Sequence, residues 1–129
     1  MPSQREVFIL STDDVETEEL CSILSQGRFG ATVFRTVDAL EAGLGRADCL
    51  AVILDVDSVM LSNRIIRMLK ENFPALSIFC TSRRRFHPEL QDALSHYISA
   101  CLSKPVDPDE LNFWLKSIRD DGLAQKTQS

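Results

Sequence analysis

CLAVILDV, residues 49–56, is apolar at seven of its eight positions, and the exception is Asp55 near its end. A strand with one wet face alternates apolar and polar residues, whereas an unbroken apolar run suits a central parallel strand covered by helices on both faces. The stretch therefore predicts an α/β sheet with a carboxylate delivered to the carboxyl end of its middle strand.

The flanking sequence keeps the same rhythm. Strands are expected over residues 6–10, 32–35, 49–56, 76–80 and 100–103, with helices over 15–25, 37–44, 62–72, 88–97 and 108–119. The last helix is the best signalled. Asp107 can cap it, Pro108 suits its first turn, Glu110 completes a D-x-x-E capping pattern, and Leu111, Trp114, Leu115 and Ile118 form one apolar stripe. Repeated βα units imply a doubly wound, five-stranded parallel sheet of the flavodoxin-like kind. One domain is expected over residues 5–120, followed by a polar, frayed tail over 121–129.

Composition narrows the function. A net charge of −5 disfavours a phosphate-backbone ligand, and the local basic triplet Arg83-Arg84-Arg85 does not reverse it. No apolar run is long enough to span a membrane and the N-terminus lacks a secretory layout, so a cytoplasmic location is expected. Cys21, Cys49, Cys80 and Cys101 are scattered, with no C-x-x-C pair and no histidine at ligand spacing, and they read as reduced thiols.

In open parallel sheets, ligands gather at the carboxyl ends of the strands. Those ends carry Asp13 and Asp14 after the first strand, Asp55 on the third, Thr81 on the fourth, and Lys104 with Pro105 after the fifth. Each has an ordinary alternative: Asp13 and Asp14 also suit a helix cap, Asp55 a turn, Thr81 a strand end and Lys104 a solvated charge. Taken together they describe three carboxylates, a hydroxyl and an ammonium on one edge. Two unit charges ~4 Å apart cost on the order of 4 kcal/mol at an effective dielectric near 20, so crowded carboxylates call for a cation. Mg²⁺ fits such oxygen ligands, and a free carboxylate beside metal, ammonium and hydroxyl is suited to accepting a phosphoryl group.

This constellation resembles the receiver domains of two-component response regulators. The resemblance covers about residues 5 to 120 and rests on Asp13-Asp14, on Asp55 ending VILD, on Thr81 in IFCTS, and on Lys104-Pro105 in LSKP. It implies Asp55 as acceptor of a phosphoryl group from a sensor histidine kinase or phosphotransfer protein. It implies Mg²⁺ held by Asp14, Asp55 and the main-chain carbonyl of Asp57, with Asp13 acting through water. Lys104 would contact the phosphoryl group, with a cis bond to Pro105, and Thr81 would turn toward it. A downstream protein or output domain and a homodimer are further implied partners, and the receiver would not be an enzyme beyond its own phosphorylation and slow dephosphorylation.

The sequence departs from the family pattern in its readout. The loop DVDSVMLSN has Val59 where the family carries proline, and no glycine; Cys101 replaces an aromatic residue, and Ser82 stands where alanine is common. Asp57 and Arg83 are expected to flank the pocket as a charge pair. Two alternatives stand beside phosphotransfer. One is a pseudo-receiver acting as a phosphorylation-independent docking module; the other is a haloacid-dehalogenase-like phosphatase, suggested by Asp55-Val-Asp57 but opposed by the order of the motifs.

Overall fold

The computed structural model describes residues 6–84 and 88–128, with no side-chain description beyond residue 120. Residue 5, where the domain was expected to begin, and Arg85 and His87 lie outside the described residues. In chain order the elements are β1 (Glu6–Leu10), α1 (Asp14–Gln26), β2 (Gly30–Phe34), α2 (Val37–Arg46), β3 (Ala51–Asp55), α3 (Asn63–Asn72), β4 (Ser77–Ser82), α4 (Gln91–His96), β5 (Ala100–Ser103) and α5 (Pro108–Gln128).

All five strands are parallel in the order β2-β1-β3-β4-β5, the doubly wound sheet expected from the βα rhythm. Every residue of β3 is buried, as an apolar run at the sheet centre requires. Strand alternation sorts the sheet into two cores. Val7, Ile9, Ala51, Ile53, Phe79 and Leu102 pack with α1 and α5 residues such as Leu20, Leu24, Leu111 and Leu115. On the other face Phe8, Leu10, Val52, Leu54, Ile78 and Cys80 pack with Leu40, Ile66, Leu69 and Ala93. Asp55 follows Ile53 by two positions, so it belongs to the face covered by α1 and α5.

Most element boundaries differ from expectation by one or two residues, β3 and β4 among them. β2 begins at Gly30 rather than at residue 32, because its pairing with β1 runs from Glu6↔Gly30 onward. Residues 88–97 split into a 3-10 turn, Pro88–Leu90, and a short α4 whose N-cap residue, Leu90, offers no side-chain cap. The expected frayed tail is instead a continuation of α5 to Gln128; Lys, Gln and Ala in that segment are good helix formers, which outweigh Gly122.

Candidate functional site

β3 carries Asp55 to the edge of the sheet, and the chain closes over it. The residue has no solvent exposure. Ser11, the first residue after β1, donates its hydroxyl to Asp55 Oδ2 at 2.8 Å, and Ser58 donates to the same oxygen at 2.8 Å. Asp55 Oδ1 accepts from Lys104 Nζ at 2.7 Å and from the backbone N–H of Asp57 at 3.1 Å. Both oxygens are thus saturated by partners from the segments after β1, β3 and β5. Burial pushes the Asp55 carboxyl up, but the hydrogen bonds from Lys104, Ser11 and Ser58 and the ammonium charge outweigh it and hold the group below its ordinary value.

Lys104 is the centre of the positive charge. Its side chain is 2% exposed and bridges Asp55 at 2.7 Å and Asp57 at 3.1 Å. Burial alone would lower its pKa, and the two carboxylates instead raise it. The cis Lys104-Pro105 bond expected from the resemblance is present, and the Lys104 backbone N–H anchors on Ser82 O. Asp57 is fixed from the other side by the Ser82 hydroxyl at 3.1 Å and the Arg83 backbone N–H at 2.8 Å. Burial raises the Asp57 carboxyl, and the Arg83 N–H and Lys104 hold it below the usual range.

The expected Asp57–Arg83 charge pair is therefore a backbone contact. The Arg83 guanidinium turns toward Glu16, at 3.9 Å. Thr81 is registered beside Asp55 across β3 and β4, fully buried, and its hydroxyl has no hydrogen-bond partner among the described residues. Cys101 is exposed on β5, registered against Cys80 of β4.

Asp13 and Asp14 are not part of this cluster. Asp13 caps α1, its Oδ1 accepting the backbone N–H groups of Val15 and Glu16. Asp14 is largely exposed and pairs with Arg35 at 2.9 Å, while a second nitrogen of that guanidinium bonds Thr12 O. The physical reason is register: β1 ends at Leu10, so the two positions next to Asp55 are Ser11 and Thr12, and the acidic pair arrives two residues later as helix cap and first helical residue.

Hydroxyls do the closing work in their place. Thr12 bonds Ser58 through both its backbone N–H and its hydroxyl, each at 3.0 Å, and the Ser11 and Ser58 hydroxyls are 3.2 Å apart. These bonds tie the β1-α1 loop to the β3-α3 loop across Asp55.

Sequence reasoning missed Ser11, Ser58, Arg35 and above all Glu16. Glu16 lies on the buried stripe of α1 with Leu20, Ile23 and Leu24. Its Oε2 is 3.9 Å from Lys104 Nζ, and its Oε1 is buried without a hydrogen-bond partner. Desolvation raises the Glu16 pKa despite the pull of Lys104. The helical spacing of position 16 with 20, 23 and 24 was the available signal.

No protein-family model and no curated protein matches the chain. Solved structures do. The fold is that of response-regulator receiver domains: the chain is similar to the signal receiver domain of an HD domain-containing protein from Pseudomonas fluorescens Pf-5, at 16% identity and TM-score 0.83 over 98% of this chain and 95% of that one. It is similar to a CheY-like receiver domain protein from Methanospirillum hungatei JF-1, at 14% identity and TM-score 0.80 over 97% and 98%. Full-length FixJ from B. japonicum matches at 20% identity and TM-score 0.77, over 90% of this chain but 58% of that one.

The receiver fold brings a divalent cation into question, and the donor set does not fit one. Asp13 Oδ1 is committed to the helix cap, Asp14 faces Arg35, and both Asp55 oxygens are occupied by hydroxyls, an amide and an ammonium. Among the described residues no group of three or more His, Cys, Asp or Glu is placed to hold a metal ion.

Proposed function

We propose that this chain is a receiver-fold signalling module of the cytoplasm that acts by protein docking and does not need phosphorylation. The observation that carries this reading is the saturation of Asp55: a fully buried carboxylate with partners on both oxygens has no free lone pair presented to an incoming phosphorus. An attacking carboxylate must reach the phosphoryl group at near-bonding distance, and here the hydroxyl bridges between two loops would first have to open. Asp55 then serves as an internal anion that fixes the loops at the carboxyl edge of the sheet. Those loops, held in one arrangement, are the docking surface.

The rival reading, phosphotransfer to Asp55 from a histidine kinase or phosphotransfer protein, draws support from the gathering of Asp55, Asp57, Thr81 and Lys104 at one edge. Both readings allow a longer protein in which this fold is joined to an output domain, and a homodimer.

Incubation of the chain with acetyl phosphate and Mg²⁺, followed by intact mass, separates them. The docking reading expects no added phosphoryl mass. Labelling that is lost in Asp55→Asn would replace it with the phosphoacceptor reading.

A further inference from the structure

Two of the four cysteines are neighbours in the sheet. Cys80 of β4 and Cys101 of β5 are registered partners across parallel strands, and adjacent strands lie about 4.8 Å apart. Strand alternation fixes where they point. Phe79, Ala100 and Leu102 pack on the face covered by α1 and α5, so Cys101, between the last two, turns to the opposite face, where Cys80 packs. A disulfide needs Cα atoms roughly 4.4–6.8 Å apart and side chains on a common side. This pair meets both conditions.

No other pair of cysteines does. Cys80 is registered beside Leu54, and Cys49 lies five residues back from Leu54, about 16 Å along the sheet. Cys21 packs against the core on the other face. The two partners are also unequal, since Cys101 is exposed and Cys80 is buried. Burial pushes both thiols up, with the charge of Cys101 adding to the effect at Cys80 and that of Asp57 at Cys101. Thiolate is therefore scarce at neutral pH, and Cys101 is the sulfur that an oxidant in solution meets first.

We propose that Cys80 and Cys101 form an oxidisable dithiol, a modification site for hydroperoxides that closes into a disulfide between β4 and β5. With hydrogen peroxide, the Cys101 sulfur attacks one oxygen, the O–O bond breaks, and the departing hydroxide leaves as water with the thiol proton. Cys101 is then a sulfenic acid. The Cys80 sulfur attacks it, the S–S bond forms as the S–O bond breaks, and the hydroxide departs as water with the Cys80 proton. Two thiols are oxidised and one peroxide is reduced to two waters.

The bridge lies one residue before Thr81 and three before Lys104. It would tie together the two strands that lead to those residues, beside the backbone bond from Lys104 N–H to Ser82 O. Oxidation would thus stiffen the carboxyl edge of the sheet. The inference goes beyond the docking reading and stands whether or not Asp55 accepts a phosphoryl group.

The test treats the folded chain with hydrogen peroxide, alkylates the remaining thiols in urea with N-ethylmaleimide, and reads intact mass and non-reduced peptides. The oxidised protein should be a monomer about 2 Da lighter before alkylation, should take up two maleimides rather than four, and should link the peptides of Cys80 and Cys101. Dithiothreitol should restore all four thiols. Cys80→Ala should stop at a Cys101 sulfenic acid that dimedone traps, and the exposed-site variant Cys101→Ser should form no internal bridge. Peroxide added in urea should scatter the linkages over all four cysteines, because the selectivity comes from the fold. Four alkylated cysteines after peroxide overturn the proposal. So do a linkage through Cys21 or Cys49 in the folded chain, a bridge only between two chains, or the same Cys80–Cys101 selectivity in urea.

Discussion

Replacing Asp55 with asparagine distinguishes a locked pocket from an acidic one by the sign of a single number. In a pocket where carboxylates crowd without a cation, neutralising one relieves repulsion and raises stability. In this pocket it strips a buried ammonium of its closest partner. Removing one member of a buried ion pair costs about 3–5 kcal/mol. The lower end applies, because Asp57 stays 3.1 Å from Lys104 and because the Ser11 and Ser58 hydroxyls can rotate to accept from an amide where they donated to Oδ2. At roughly 2.1 cal/mol/K per residue, the 129 residues unfold with an entropy of about 0.27 kcal/mol/K, so a loss of ~3 kcal/mol lowers the melting temperature by about 11 °C. Calorimetry or fluorescence melting at pH 7 measures it. The difference should also depend on pH. The folded-state pKa of Asp55 lies below its ordinary 3.8, so its contribution is present above that value and fades as pH falls through the lower one; the two proteins should converge in strong acid. A melting temperature for Asp55→Asn equal to or above that of the wild type would refute the lock.

Further outcomes follow from the same contacts. Ser58→Ala should cost about 1–3 kcal/mol, since it removes one of the two hydroxyl donors to Asp55 Oδ2 and the acceptor of the Thr12 backbone N–H, and combined with Ser11→Ala in a double-mutant cycle it should show coupling rather than additivity. Glu16→Gln should stabilise the protein at neutral pH. The folded-state pKa of Glu16 is raised above 4.5, so the wild type is favoured below that value and loses stability as pH rises through the folded-state value; a pH series of melting temperatures should show the variant's advantage vanishing in acid. Asp13→Ala should cost about 1 kcal/mol as a lost helix cap, whereas Asp14→Ala, which breaks one exposed pair with Arg35, should stay within about 0.5 kcal/mol in denaturant melts.

The contrast between those last two variants shows how far the sequence could be read. The βα rhythm was legible because it rests on periodicity, and burial on both faces makes β3 unbroken apolar sequence. Lys104 and Asp55 were legible because each ends a strand, where position in the chain nearly fixes position in space. The acidic pair was not. Its placement depends on where β1 stops, and a two-residue difference decides whether a carboxylate meets Asp55 or caps a helix. The stop is set by pairing with β2 and β3, both of which reach only to Leu10. Asp13 and Glu16 also form a D-x-x-E pattern at the head of α1, the local signature of a cap.

Glu16 was hidden for a different reason. A lone acid in a helix reads as solvated unless the stripe it shares is counted, and its value lies in contacts more than eighty residues away in sequence, at Lys104. The same helix thus spends one acid on its own amides, one on a surface arginine and one on a buried lysine. Only the third bears on what the pocket can do. Charge at a sheet edge becomes chemistry only when a side chain is left with an unspent lone pair, and on Asp55 the serines after β1 and β3 use what the lysine and the amide leave free. A receiver-type edge can in this way retain its strand-end aspartate and its lysine and still be built for holding shape.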